Sequence, residues 1–338
     1  MCGDRCFANA RASGIMSTYS VRWMPGVNRE QAFFTFHGKV DKVGQRRMIM
    51  DYTIQNEHMS VTAETFGAQL KSVKKDGREV LWQRDTAYWR DSAPNLFPYI
   101  ARLYGGEYTF EGKTYSMKIH GFLKYRELEL VKKTEDSMTF ELRADEETLQ
   151  QYPWKFVCRV IYTLKGNTLS SVTEIVNQDD RTMYFGAGGH PGFFVPMEEG
   201  LAFEDYYLEL PEAENPVKIG FTETCFRNGD NKPYELAPGK RIMLRHDLFD
   251  HDAVVLQNAG HTVKIGSDKG EKALIVRWDH EYVGFWHKPG TDAPYVCVEP
   301  WGSLPARDGL TEDFASQPDL TALEAGGTYD VGWSVEVL

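Results

Sequence analysis

Long apolar runs are missing from this sequence. Nothing approaches the roughly 18 consecutive apolar residues that a membrane-crossing helix needs. The opening Met1-Cys2-Gly3-Asp4-Arg5-Cys6-Phe7 holds no sustained apolar stretch of the kind a secretory leader requires. Basic clusters are as scarce: Gln45-Arg46-Arg47 is too short to count, and the formal net charge is −11. Nucleic acid and anionic membranes both demand a concentrated basic face, so neither is expected as a partner. Cysteine is sparse, with five residues scattered along the chain. Cys2 and Cys6 could suggest a metal pair, but no second pair sits at ligand spacing, which argues against structural zinc. Cys158 and Cys297 lie in apolar, strand-like runs and read as buried free thiols. That usage fits a reducing compartment, and a cytoplasmic location is expected.

Helical periodicity is nearly absent too. Only 145–151 looks helical, and it stops before Pro153. Without crossover helices a mainly parallel sheet is excluded. Several catalytic signatures are also missing: no Gly-x-Ser-x-Gly elbow, no Gly-rich phosphate loop, no His-Glu-x-x-His.

What remains is a chain of 338 residues, 42% hydrophobic and 13% aromatic, enough for a sizeable core. Residues 1–49 follow neither a period of 2 nor one of 3.6, so they read as a weakly structured N-terminal extension, with the working domain starting near Met48 or Met50. From there, short alternating runs separated by turns predict strands at 50–54, 59–63, 69–73, 79–82, 108–110, 114–117, 156–164 and 168–173. Further strands are expected at 253–256, 263–265, 273–276, 283–286, 295–298 and 332–337. Lys75-Asp76-Gly77, Glu111-Gly112-Lys113 and Lys165-Gly166-Asn167 supply hairpin turns. Phe156, Cys158, Val160, Tyr162 and Leu164 share one strand face. The expected fold is all-β, one large antiparallel β-sandwich over 50–338.

Four places interrupt this pattern with polar residues that are costly to bury. In Ser92-Ala93-Pro94-Asn95-Leu96-Phe97-Pro98, two prolines enclose aromatic character, and Arg102 follows in an apolar run, where its forked guanidinium could hold ligand hydroxyls. In Met117-Lys118-Ile119-His120-Gly121-Phe122, a glycine beside the histidine allows close backbone approach. Tyr184-Phe185-Gly186-Ala187-Gly188-Gly189-His190-Pro191-Gly192-Phe193 sets one histidine among strand-weakening glycines. In Tyr295-Val296-Cys297-Val298-Glu299-Pro300-Trp301, a glutamate ends an apolar strand, where desolvation would raise its pKa towards that of a useful general base. Taken alone, each histidine is as well explained by a half-buried core position and Arg102 by a strand end. His246, Asp250, His251 and Asp252 form a polar cluster that could suggest metal, yet it reads better as a loop feeding strand 253–256, and no metal is expected.

Together, in this order, the four motifs resemble the aldose 1-epimerase (galactose mutarotase) family, in its LacX-like branch, over residues 51–338 or so. The resemblance implies a galactose mutarotase-like supersandwich with an open sugar cleft and a cofactor-free reaction. Anomers interconvert when one group takes the C1 hydroxyl proton while another protonates the ring oxygen; the ring opens, the C1–C2 bond turns, and the ring closes on its other face. On this resemblance Glu299 is the general base and His190 the general acid. His120 and Arg102 orient the sugar, Asp252 binds hydroxyls, and Trp286 or Trp301 supplies an apolar platform. The partner is a small-molecule aldohexose, the assembly a monomer or homodimer, and the particular sugar stays open. A hexose-6-phosphate 1-epimerase is the neighbouring alternative, which would need cations such as Arg84, Arg90 and Arg102 around a phosphate. A non-catalytic carbohydrate-binding sandwich is another. A glycosidase would require a second carboxyl opposite Glu299, and none is evident. Gly188 and Gly189 are expected to leave room for the sugar ring.

Overall fold

The structure, a computed structural model, describes residues 38–40 and 46–338. Most of the segment expected to be a weakly structured extension therefore lies outside the described residues. Within it, Gly38–Val40 pairs antiparallel with Arg46–Met48.

Beyond residue 50 the chain is all-β, and its sheets are antiparallel throughout. A nine-stranded sheet runs in the order Glu129–Lys133, Ser137–Arg143, Phe156–Lys165, Thr168–Asn177, Thr328–Val337, Leu274–Trp278, Thr262–Ser267, Tyr206–Glu209, Arg241–Met243. Alternation explains its buried face: Thr168–Asn177 buries every second residue, and Phe156, Cys158, Val160, Tyr162 and Leu164 all point inward as the sequence predicts. An eight-stranded sheet includes Val254–Gln257, Tyr282–Trp286, Tyr295–Trp301, Gly188–Gly189 and Asn95–Leu96 in adjacent positions. Val160, Val276 and Val335 of the first sheet share one buried cluster with Leu256, Phe285, Val296 and Val298 of the second. Burying such side chains stabilises the sandwich by about 1.5–3 kcal/mol each.

The turns form where their residues permit left-handed backbone. Asp76 and Gly77 have φ of 48° and 80°, and Glu111 and Gly112 have 50° and 74°, the conformation that closes a two-residue hairpin. The helix Glu146–Gln151 begins at Asp145, whose carboxylate accepts from the Thr148 N–H at 2.8 Å, while the Thr148 hydroxyl accepts from the Asp145 N–H at 2.8 Å.

Every residue of Tyr295–Trp301 is buried. Val296 and Val298 enter the main core, whereas Cys297 and Tyr295 join a smaller aromatic cluster with Trp82, against which Trp89 and Trp286 pack. Glu299 alternates onto the same side as Cys297. The strand that carries the glutamate is thus central, and the two faces it separates are core and cavity.

Candidate active site

A cavity of about 310 Å³ is lined by Arg102, His120, His190, Asp252, Trp286, Glu299 and Trp301, so all seven sequence-selected residues converge on one place. They come from distant parts of the chain, and pairing brings them together. Gly188 stands opposite Trp301, and Gly192 opposite Cys297, on the two arms flanking His190. The Val298 N–H donates to the Pro191 carbonyl at 3.0 Å. The resulting turn holds His190 Nε2 3.1 Å from Glu299 Oε2.

The glycines of this stretch serve a different purpose from the expected one. A Cβ on Gly188 would meet the Pro300 carbonyl oxygen at 2.4 Å, and one on Gly189 would meet Trp333 Nε1 at 2.5 Å. Their missing side chains admit a neighbouring strand and a core indole, not a ligand. The sugar-room expectation is corrected: these glycines let the histidine-bearing segment press against its neighbours.

His120 sits in left-handed backbone, φ 63°, followed by Gly121 at 74°. A Cβ at Gly121 would fall 2.2 Å from the Phe97 carbonyl oxygen, so only glycine lets the turn lie this close to the 95–98 segment. The His120 N–H donates to the Ala101 carbonyl at 2.9 Å, and the Ala101 N–H donates to His120 Nδ1 at 3.1 Å. An Nδ1 that accepts leaves the proton on Nε2, so the neutral ring carries an N–H donor at its other edge.

Burial pushes the titratable groups towards their neutral forms. Desolvation carries Glu299 well above the usual carboxylate range, reinforced by the charge of Asp252. Desolvation, followed by the Lys124 charge, brings His190 down to about 3. Desolvation and then the neighbouring His190 lower His120 as well. Burial therefore favours the neutral form of the His190–Glu299 pair, carboxyl beside imidazole. The charged form, carboxylate beside imidazolium, has the same proton count and is reached by one transfer along the 3.1 Å contact.

Several cavity residues carry no sequence signal of their role. Trp89 stacks on His190 with centroids 4.8 Å apart, and Trp286 meets the same ring edge-on at 5.5 Å. The two indoles shut water away from the imidazole, which is how they contribute to its lowered pKa. Lys124 lines the cavity while its ammonium is held 2.7 Å from Asp91. Cys225 donates its thiol proton to Asp252 Oδ2 at 2.8 Å, and the Ala253 N–H donates to Oδ1 at 3.0 Å. Burial, together with this bond, raises the thiol pKa to about 12. The Arg102 side chain is exposed at the cavity edge. Of the other arginines weighed for phosphate, Arg84 is held by Glu64 at 2.7 Å and Ser92 at 2.9 Å, and neither it nor Arg90 lines the cavity. In the 246–252 loop, His246 Nδ1 lies 3.1 Å from His287 Nε2, so these rings hold each other.

The architecture has close relatives among solved structures. A galactose mutarotase related enzyme from Lactobacillus acidophilus is 35% identical, with a TM-score of 0.81, covering 86% of this chain and 97% of that one. A galactose mutarotase-like protein from Lactobacillus casei is 29% identical at the same TM-score of 0.81, covering 86% and 100%. The fold is thus of the galactose mutarotase-like class. The family model described as aldose 1-epimerase matches residues 50–331. The chromosomal LacX protein of Lactococcus lactis subsp. lactis is 33% identical over 298 residues, 86% of this chain and 100% of LacX. The chain belongs to the aldose 1-epimerase family, in the branch that includes LacX.

Proposed function

We propose that the protein is a mutarotase that interconverts the α and β anomers of a free aldohexose, with residues 50–338 as the working domain. The observation that carries this reading is the buried acid–base pair, His190 and Glu299, 3.1 Å apart on the floor of a cavity lined by sugar-sized apolar and polar groups.

The sugar enters with its hemiacetal over this pair, C1 hydroxyl against Glu299 and ring oxygen against His190. Transfer of the shared proton from Glu299 to His190 gives carboxylate and imidazolium. The carboxylate then removes the C1 hydroxyl proton, the imidazolium protonates the ring oxygen, and the C1–ring-oxygen bond breaks to leave aldehyde and hydroxyl. At this point the pair is neutral again, the state that burial favours. The open-chain sugar is therefore matched to the lowest-energy form of the pair. Rotation about C1–C2 and the reverse proton steps close the ring on its other face, with no net change in atoms or charge. General acid and base assistance of this kind contributes roughly 10²–10⁴-fold each.

The remaining residues position the ring. His120 offers its Nε2–H to an oxygen of the sugar, Arg102 forks onto hydroxyls, and Asp252 accepts from others through the oxygens that Cys225 and Ala253 orient. Trp286 and Trp301 supply apolar faces for the sugar's C–H groups. NMR exchange between anomers across a panel of free and phosphorylated aldoses tests the reading. Acceleration of a free hexose supports it; acceleration confined to phosphorylated sugars, or none at all, refutes it.

A further inference from the structure

We infer that His190, Cys297 and Glu299 form a binding site for a divalent ion of the zinc class, and that an ion held there blocks the cavity floor. Donor atoms of these three side chains lie within 4.8 Å of one another, all three residues are buried, and no second such trio occurs among the described residues. Cys297 and Glu299 project from the same side of strand Tyr295–Trp301, and the turn at Pro191 delivers His190 across from them. Tetrahedral zinc, with bonds of about 2.0–2.3 Å, sets its donors about 3.3–3.8 Å apart. The Nε2 to Oε2 separation of 3.1 Å is already near that spacing.

A second, independent observation points the same way. Glu299 is 1% exposed, and its Oε1 finds no well-formed hydrogen bond among the described residues, with only a weak interaction from the Trp301 indole N–H nearby. A buried carboxyl oxygen so poorly satisfied is costly, and a cation would satisfy it. Charge balance favours a divalent ion: thiolate, carboxylate, neutral imidazole and a dication sum to zero, so no net charge is buried. Thiolate with imidazole favours zinc, cobalt or copper over magnesium and calcium. His190 and Glu299 line the cavity, so an ion held by them occupies the groups that the reacting oxygens of a sugar would otherwise meet; this blocking role rests on the proposed function, while the ion site does not.

Cobalt(II) titrated into the full chain tests the site, in reductant, with Cys2, Cys6 and Cys225 each changed to Ser. A cobalt–thiolate bond adds a charge-transfer absorption in the near ultraviolet. One equivalent of cobalt is expected to produce it and zinc to displace it. Cys297→Ala should abolish the band, Cys158→Ala should keep it, and His190→Asn should weaken cobalt binding at least tenfold, about the loss expected for a damaged metal site. Absence of the band, its survival in Cys297→Ala, or unchanged affinity in His190→Asn overturns the site. Circular dichroism checks that each variant is folded, and His190→Asn decides the matter if Cys297→Ala is not. In the unsubstituted protein, zinc should stop anomer exchange and a chelator restore it; full exchange with zinc bound overturns the blocking role. A metal-free protein without exchange counts against the mutarotase reading alone, because the band is read without sugar.

Discussion

Replacing Glu299 with Gln keeps the shape of the side chain and removes its capacity to take a proton. The carboxyl is buried, and desolvation favours its neutral, protonated form. A neutral amide of the same size in its place should leave the fold almost undisturbed, within about 1 kcal/mol, the scale of one altered hydrogen bond. The amide can still contact His190 Nε2, 3.1 Å away in the parent, so the floor of the cavity keeps its geometry. Catalysis should fall steeply, because among the described residues no other carboxylate stands at the pair: Asp252 is tied to Cys225 and to the Ala253 N–H. The loss expected from removing a general base is roughly 10²–10⁴-fold, equivalent to about 3–5 kcal/mol of barrier at 1.36 kcal/mol per tenfold. It should fall on kcat, with KM changed by no more than about threefold, since the lost interaction belongs to the transition state. Magnetisation exchange between the α and β signals of the preferred aldose measures the rate, and thermal denaturation checks the fold. A folded Glu299→Gln variant within about threefold of the parent rate would show that the base is elsewhere, because a true general base costs far more.

The rate should hold across a broad neutral plateau. Its acid limb comes where His190, lowered to about 3, becomes imidazolium beside the protonated carboxyl, and its alkaline limb where Glu299, raised by burial, loses its proton; a limb at the ordinary histidine pKa would refute the neutral pair. Gly121→Ala places a methyl group against the Phe97 carbonyl in left-handed backbone and should destabilise by about 3 kcal/mol in urea unfolding; an unchanged midpoint would mean the turn can move aside. His280 is buried with neither ring nitrogen hydrogen-bonded among the described residues, and burial lowers its pKa to about 3. Because the unfolded ring takes its proton first, near 6.5, the native state should lose stability as pH falls from there towards 3, on the order of 3 kcal/mol at pH 4. His280→Leu should remove most of that loss, and a melting-temperature profile against pH as steep as the parent's would refute the assignment. A chain lacking residues 1–47 should fold and exchange anomers at the parental rate; an insoluble or inactive product would place part of the working domain upstream.

The primary sequence alone determined the class of fold and the neighbourhood of the site. Period-2 alternation with hairpin turns is local information, and it reappears as the inward rows of 156–165 and 168–177 and as the left-handed pairs Asp76-Gly77 and Glu111-Gly112. The four motifs were visible because each sets a polar or hinged residue where an apolar strand should continue. Only the tertiary structure decided how those residues meet. The 3.1 Å contact between His190 and Glu299 depends on register between Gly188–Gly189 and Tyr295–Trp301, a pairing between segments far apart in the chain. Trp89, Lys124 and Cys225 gain their roles solely from what they touch, and nothing in their local pattern separates them from core, surface or free thiol. The same limit explains the misreading of Gly188 and Gly189. A sequence shows that a side chain is missing, but packing decides whether the space goes to a ligand or, as here, to Pro300 and Trp333.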